Sequence, residues 1–415
     1  MRRCSRRALL TGAAAAALAS GARAAPAALK LRRGVNLWPW FSLTREFPAP
    51  RTDYDWPPFQ PRRPAPRASD LARLRQAGFD FVRIPVDPGP FLSFAGARRA
   101  ALRQELAAAV SQCLAADLAV IVNVQINETT HHWNSARLIQ STQAVGFSAY
   151  RGLVAGIASD LAAKHDLARV ALEPVNEPPQ ACGSPLWPAA QRALLSAARA
   201  AAPGLTLVAT GACGSMVGGL EALAPASAGV SGPVLHTFHF YEPYLFTHQG
   251  APWMREPVYR SLNGVPWPAG AGALEVTLDA VRRRMAADTA TPAGARAAAF
   301  AETERALKIY FDAMPDRRFI EDYFARVTDW AARENIAPGN ILLGEFGALR
   351  SDARYTAAAA PDRARYIRDV RGVAEASGFA WAFWNLFDGF GIMDEATRAL
   401  DPAVVSALGL AMPEP

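Results

Sequence analysis

Long apolar runs, histidines at metal-ligand spacing, internal repeats and a basic stripe are all missing from this 415-residue chain, and each absence excludes something. No apolar stretch reaches the ~20 residues that a membrane-spanning helix needs. Solenoid architecture would show a repeat of fixed period, and none is visible. The adjacent pair His131-His132 lacks further His, Cys or Asp at ligand spacing, so no metal centre is expected there. The formal charge of +7 suggests a polyanion partner at first sight. Five of the arginines (Arg2, Arg3, Arg6, Arg7 and Arg23) stand in the first 24 residues, where there is no acid. The remainder is nearly neutral, and a nucleic-acid partner is not expected.

Cysteine is scarce as well, with four in the chain. Cys4 belongs to the arginine-rich leader. The three that remain, Cys113, Cys182 and Cys213, permit at most one internal bridge. Cys113 falls inside a helical pattern and reads as a buried apolar thiol. Cys182 and Cys213 follow successive strand signals and can meet on one face of a barrel; the sequence leaves open whether they are bridged.

The leader has the form of an export signal. Ser5-Arg6-Arg7-Ala8-Leu9-Leu10 resembles the twin-arginine type, Ala13 to Ala19 is a short apolar run, and Ala22-Arg23-Ala24 offers small residues for cleavage. Residues 1–24 are therefore read as a signal and 25–415 as one domain, periplasmic or extracellular; a monomer is a separate expectation, to which the leader does not speak. A hydrophobic fraction of 51% with 20% charged residues suits a large buried core.

Along the mature chain, short apolar strands alternate with helical patterns. Strand signals occur at Gly34–Leu37, Phe79–Ile84, Leu118–Val124, Val170 onward, Leu205–Ala209, Val234–Phe240, Ile341–Glu345 and Phe379–Trp384. Eight strand-then-helix units predict a single-domain (β/α)₈ barrel of the α/β class. Ser69 is read as the cap of the first helix, which Gly78 ends. The connection after the first strand is a long loop rich in proline and aromatics, from Trp38 to Phe59. Two helical segments from about Ala273 to Met314 have no strand between them and read as an insertion between the sixth and seventh barrel strands.

One stretch organises the functional reading: Val170-Ala171-Leu172-Glu173-Pro174-Val175-Asn176-Glu177-Pro178-Pro179. Its apolar start suits a parallel strand buried on both faces. Pro178 and Pro179 are expected to end that strand just after Glu177. A second apolar strand, Ile341-Leu342-Leu343, runs into Gly344-Glu345. Arg83, Asn176, Glu177, His239, Tyr241, Glu345 and Trp384 all fall at strand ends, where barrel active sites are built. Arg83 lies in an otherwise apolar strand, so a carboxylate is its natural partner. Glu173, four residues before Glu177, is read as a structural partner for a barrel cation. Two carboxyl groups on separate strand ends are what glycoside hydrolysis requires, one to protonate the leaving oxygen and one to attack or to activate water.

Phe81-Val82-Arg83-Ile84-Pro85, Leu172-Glu173-Pro174-Val175-Asn176-Glu177-Pro178, His239-Phe240-Tyr241, Gly344-Glu345-Phe346-Gly347 and Trp384 together resemble glycoside hydrolase family 5, the cellulase family of retaining barrel glycosidases. They occur in the family's order and span most of the mature chain. The resemblance implies Glu177 as acid/base and Glu345 as nucleophile. It further implies that Asn176 binds the sugar 2-hydroxyl, that Arg83 and Tyr241 hold Glu345, that His239 lines the pocket and that Trp384 is a stacking floor. Gln125 stands where the family commonly has a histidine, and His131 or His132 is the candidate substitute for that position. Trp253, in a polar-aromatic loop, is a further substrate contact.

The reading that follows is a retaining endo-β-glucanase without a cofactor, acting on a β-linked polysaccharide or oligosaccharide, with its two carboxyl groups about 5–5.5 Å apart. Rival readings are a mannanase, a glycosidase trimming exopolysaccharide or glycolipid, a non-catalytic sugar-binding barrel, and a metal-dependent hydrolase.

Overall fold

A computed structural model describes residues 29–224 and 230–414. The leader read as an export signal lies outside the described residues. Eight parallel strands close into a barrel: β1 (Arg33–Asn36), β4 (Phe81–Val86), β5 (Ala119–Val124), β6 (Val170–Glu173), β7 (Thr206–Thr210), β8 (Val234–Phe240), β9 (Ile341–Phe346) and β10 (Ala380–Phe383). Each pairs in parallel with its neighbour, and β1 closes the ring against both β10 and β4. The other two strands, β2 (Thr44–Glu46) and β3 (Tyr54–Phe59), form an antiparallel ribbon in the loop after β1.

Alternation along each strand sorts side chains into two cores. Val35, Val82, Ile84, Val120, Val122 and Leu172 point outward and pack beneath the helices. Phe81, Ile121, Ala171, Val208, Leu235, Leu342 and Ala382 point inward and, with Leu29 and Leu31, plug the lower end of the barrel. Gly34 is required here, because a Cβ on it would lie 2.3 Å from the Phe81 ring. Above this apolar plug the inward positions turn polar, with Asn36, Arg83, Asn123, Glu173 and Thr237 all buried.

The helix Ala68–Ala77 begins one residue before Ser69, so Ser69 does not cap it. Its first turn is held by the Asp70 carboxylate, which accepts from the Arg67 amide, and Gly78 ends it in the left-handed conformation at φ 109°. The insertion between the sixth and seventh barrel strands contains the helices Leu274–Ala287 and Ala293–Ala313, followed by Arg317–Arg333.

Two expectations need correction. Strand β6 ends at Glu173, not after Glu177: Pro174 already removes the next ladder donor, and Val175 to Pro178 form an irregular turn with Glu177 at φ 44°. Glu173 and Glu177 therefore do not share a regular strand. The proline-rich loop after β1 contains the β2–β3 ribbon. Pro57 and Pro58 lie within β3, which is tolerated because a two-stranded ribbon exposes an edge on either side. Tyr54 and Phe59 of the ribbon, and Phe41 before it, are buried against the barrel, whereas Trp56 is exposed. Cys182 and Cys213 are bridged, with Cα atoms 5.0 Å apart, and Cys113 is a free buried thiol.

Candidate active site

Arg83 is the hub of the upper barrel. Its strand is apolar on the outer face, and its guanidinium is fully enclosed. All five N–H donors have acceptors, the most that this side chain offers. Nε and Nη2 grip the two oxygens of Glu173 at 2.7 and 2.8 Å, Nη1 donates to Asn36 and to Glu345 at 2.8 Å each, and Nη2 also donates to Asn176 at 2.7 Å. Burial opposes the cation, but Glu173 and Glu345 more than offset it and raise Arg83 above its ordinary value. Because Arg83 can only donate, it fixes the amide of Asn176 with its carbonyl toward the guanidinium. The Asn176 NH₂ group is thereby left for whatever occupies the cleft.

Glu345 reaches the site through a break in strand pairing. Leu342 faces inward and Leu343 outward, so strict alternation would turn Glu345 outward with Leu343. The β8–β9 register instead slips between Phe238 and His239: Phe238 pairs with Leu343 and His239 with Glu345. Gly344 is the extra residue, and the slip re-aims Glu345 into the barrel, as a bulge does. A Cβ at Gly344 would lie 2.5 Å from Thr237 Oγ1 and 3.0 Å from His239 Nε2, so the bulge leaves no room for a side chain.

Both Glu345 oxygens are occupied. Oε1 accepts from Arg83 and Oε2 accepts from the Tyr241 hydroxyl at 3.0 Å. Burial raises its pKa; His239 and Arg83 pull against this, while Glu177 adds to it, and the net direction is upward. His239 faces the same point, with Nδ1 2.7 Å from Glu177 Oε1 and 3.7 Å from Glu345 Oε2. Burial disfavours its charged form, but the two carboxylates outweigh that and raise His239 above its usual value. Glu177 is the more open acid, its side chain 39% exposed against 5% for Glu345.

Glu177, His239 and Glu345 each offer one ligand atom within 4.8 Å of the others, the spacing of a cation site. Arg83 stands against that use: a fully buried guanidinium already neutralises Glu345 and would repel a dication.

These groups open into a cleft of about 680 Å³. Gln125, Asn176, Glu177, Tyr241, Trp253, Glu345 and Trp384 all line it. Trp384 lies 6.2 Å from Trp38 between ring centroids, and Trp253, 49% exposed, lies 6.2 Å from Phe390. Gln125 turns a buried Oε1 without a partner into this region, and buried Asn385 does the same with Oδ1. Both are acceptors short of a donor.

His131 and His132 are not among the lining residues. Glu46 accepts from both of their backbone amides, and His131 Nε2 lies 2.6 Å from the Arg51 carbonyl, so they tie their loop to the ribbon instead. Asp87, His248 and Asp388 line the cleft without having been singled out in the sequence. Asp87 caps the helix Pro88–Ser93 and accepts from Thr44, and burial lifts it to about 6. An Asp before a proline was the available signal for it. Nothing local marks His248, which stacks on Tyr244 and is lowered to about 4 by burial.

Comparison with known proteins agrees with this geometry. Residues 47–389 match the model of the Cellulase family (glycosyl hydrolase family 5). Endoglucanase 3 of Fibrobacter succinogenes is 22% identical over 173 residues, which is 41% of this chain and 23% of that protein. The chain thus spans about a quarter of the length of this curated relative. Among solved structures, the cellulose synthase subunit Z of Clostridioides difficile is 21% identical with a TM-score of 0.64, covering 91% of this chain and 99% of that one. The Thermotoga maritima Cel5A protein in complex with mannotriose is 18% identical with a TM-score of 0.60, covering 91% and 97%. These likenesses extend the barrel over nearly the whole described chain. With the family match spanning both glutamate-bearing strand ends, the chain belongs to glycosyl hydrolase family 5, the cellulase family.

Proposed function

We propose that this glycoside hydrolase is a retaining, endo-acting β-1,4-glucanase, with Glu345 as nucleophile and Glu177 as acid/base. One observation carries the reading: carboxyl oxygens of the two glutamates approach within 4.8 Å at the base of an open cleft. We read this close approach as the pairing of retaining enzymes, whose carboxyl groups stand roughly 5–5.5 Å apart, rather than the wider 6.5–9.5 Å that leaves room for an attacking water.

The unequal surroundings assign the roles. Glu345 has a guanidinium on one oxygen and a tyrosine hydroxyl on the other, both of which favour its anion and aim it at the sugar. Glu177 is half-exposed and free to meet the glycosidic oxygen. In the first step Glu345 bonds to the anomeric carbon while Glu177 gives its proton to the departing oxygen. In the second, Glu177 takes a proton from water, whose oxygen replaces Glu345 at the same carbon. Asn176 donates to the 2-hydroxyl of the reacting sugar, Gln125 lines its pocket, and Trp384 and Trp253 stack on sugar faces. His239 is not among the lining residues and acts from behind the two glutamates. No step calls for a cofactor.

Hydrolysis rates on mixed-linkage glucan, carboxymethylcellulose and mannan, with proton NMR of the first-formed anomer, test the reading. Retention with a preference for β-1,4-glucan is expected; an inverted anomer or a mannan preference would sink the mechanism or the substrate. We further propose that residues 1–24 direct export and that 25–415 form one catalytic domain. The Cys182–Cys213 bridge supports this, since such bonds persist in oxidising compartments.

A further inference from the structure

The turn that carries Glu177 has few internal supports and is held from outside. Cys213 donates its amide to the Gln180 carbonyl at 2.7 Å, and Gly214 donates to the Pro178 carbonyl at 3.0 Å. Three residues in a row there, Cys213, Gly214 and Ser215, have positive φ, at 47°, 68° and 59°. Two of these are not glycine, so this backbone is strained and must be held by its surroundings. On one side it is pinned by close backbone packing: a Cβ on Gly219 would lie 2.0 Å from the Ala212 carbonyl oxygen. On the other, Ser215 accepts from the His239 amide at 2.8 Å and its hydroxyl accepts from Thr210 at 2.7 Å. His239 in turn contacts Glu177. The result is a closed circuit: Glu177 to His239 through side chains, His239 to Ser215 through backbone, and Cys213–Gly214 back to the turn that follows Glu177. The single covalent tie across that circuit is Cys182–Cys213.

We propose that the Cys182–Cys213 bridge is a positioning element for Glu177, clamping the acid/base turn against the loop that also sets His239, so that full turnover requires the oxidised pair. The inference rests on the acid/base role proposed above for Glu177. Cys182 is exposed, which leaves the bond open to solution thiols. A dithiol reductant delivers two electrons and two protons, becoming a cyclic disulfide while the protein bond becomes two thiols. A bridge serving stability alone would lower the melting temperature and leave chemistry untouched.

The test compares the full-length wild type with the double variant Cys182→Ala/Cys213→Ala, and with wild type reduced by dithiothreitol and then reoxidised. The expected result is a kcat at least tenfold lower on mixed-linkage glucan, with KM within twofold, a displaced kcat–pH profile, and recovery on reoxidation. An unchanged kcat and pH profile in protein whose free thiols have been counted would overturn the proposal, whatever the melting temperature does. Should the double variant fail to fold, the reduced wild type decides, read by hydrogen exchange across residues 176–183. Faster exchange after reduction is expected, and equal exchange overturns the proposal. A wild type that cleaves no glycan would refute the proposed function separately, and the exchange readout would still judge this one.

Discussion

The floor of the cleft and its rim are built by opposite means. On the floor every polar atom of Arg83 is spent on a neighbour, and its partners come from three strands: Asn36 from β1, Glu173 and Asn176 from the end of β6 and the turn after it, and Glu345 from β9. Removing one member leaves another buried and unpaired. At the rim, Trp38 and Trp253 come from loops, touch mainly other rings, and remain partly open to solvent. Charge is therefore held in a fixed, dry geometry where bonds would break, while adaptable apolar surface is offered where a chain would lie. The difference separates turnover from affinity, and substitutions in each region can break or sharpen it.

The largest effect is expected at Glu345. Glu345→Gln preserves volume but removes the anion proposed to attack, and kcat should fall on the order of 10⁴-fold or more, with cello-oligosaccharide affinity measured by calorimetry nearly retained. In the wild type, burial raises Glu345 above the ordinary glutamate range, so the acid limb of kcat/KM should lie above pH 4.5, with activity lost as pH falls through it. An acid limb at or below the ordinary value would mean that Glu345 is not the group that must be ionised.

Next comes Arg83→Met. It strands Glu173 as a buried charge without a partner, a change that typically costs about 3–5 kcal/mol. Denaturant unfolding should show that loss together with a collapse of kcat. Adding Glu173→Gln should recover much of the stability and none of the activity, because Glu345 still lacks its guanidinium. Recovery of both would show that the floor is scaffolding rather than part of the chemistry.

A third effect sets the inward face of β8 against its outward face. His236 and His239 lie on the same strand, yet His239 meets carboxylates and is raised, whereas outward-facing His236 packs against Trp330 and is lowered to about 4 by burial. A histidine whose folded value lies below its unfolded value of about 6.5 contributes no penalty above 6.5. It costs stability progressively as pH falls from there to 4, reaching about 3 kcal/mol for a shift of this size. His236→Phe should flatten that part of the stability–pH curve while kcat stays near wild type; an unaltered slope between pH 6.5 and 4 would show that His236 is not buried neutral.

Most of the floor was legible in the sequence because barrel geometry concentrates chemistry at strand ends, and Arg83, Asn176, Glu177, His239, Tyr241 and Glu345 meet there as the strand-then-helix order implied. Arg83 in an apolar strand called for a carboxylate, and it found two. What stayed hidden was set by tertiary fit. Pro174 rather than Pro178 ends β6, since proline stops a ladder only where its amide would have been needed. The Gly344 bulge, without which Glu345 would face the helices, depends on Thr237 and His239 filling the space beside it. The ribbon was masked by Pro57 and Pro58, and the His131-His132 pair by a partner, Glu46, some 85 residues earlier. Rim contacts are made between distant loops, and no local spacing encodes them.

The smallest effect should therefore come from the rim. Trp253 is 49% exposed, its ring edge-on to Tyr355 at 5.9 Å and tilted against Phe390 at 6.2 Å, and it hydrogen-bonds to nothing on the floor. Trp253→Ala removes a stacking surface worth about 0.5–1.5 kcal/mol, which converts to a KM roughly 2–12-fold higher. Because the contact is made equally by bound substrate and by the transition state, kcat should stay within a factor of about two. The loss should appear only with oligosaccharides long enough to reach Trp253, so a length series reads out how far the rim extends from the bond being cut. A fall in kcat with KM unchanged would place Trp253 in the chemistry, and the division between floor and rim would have to be redrawn around it.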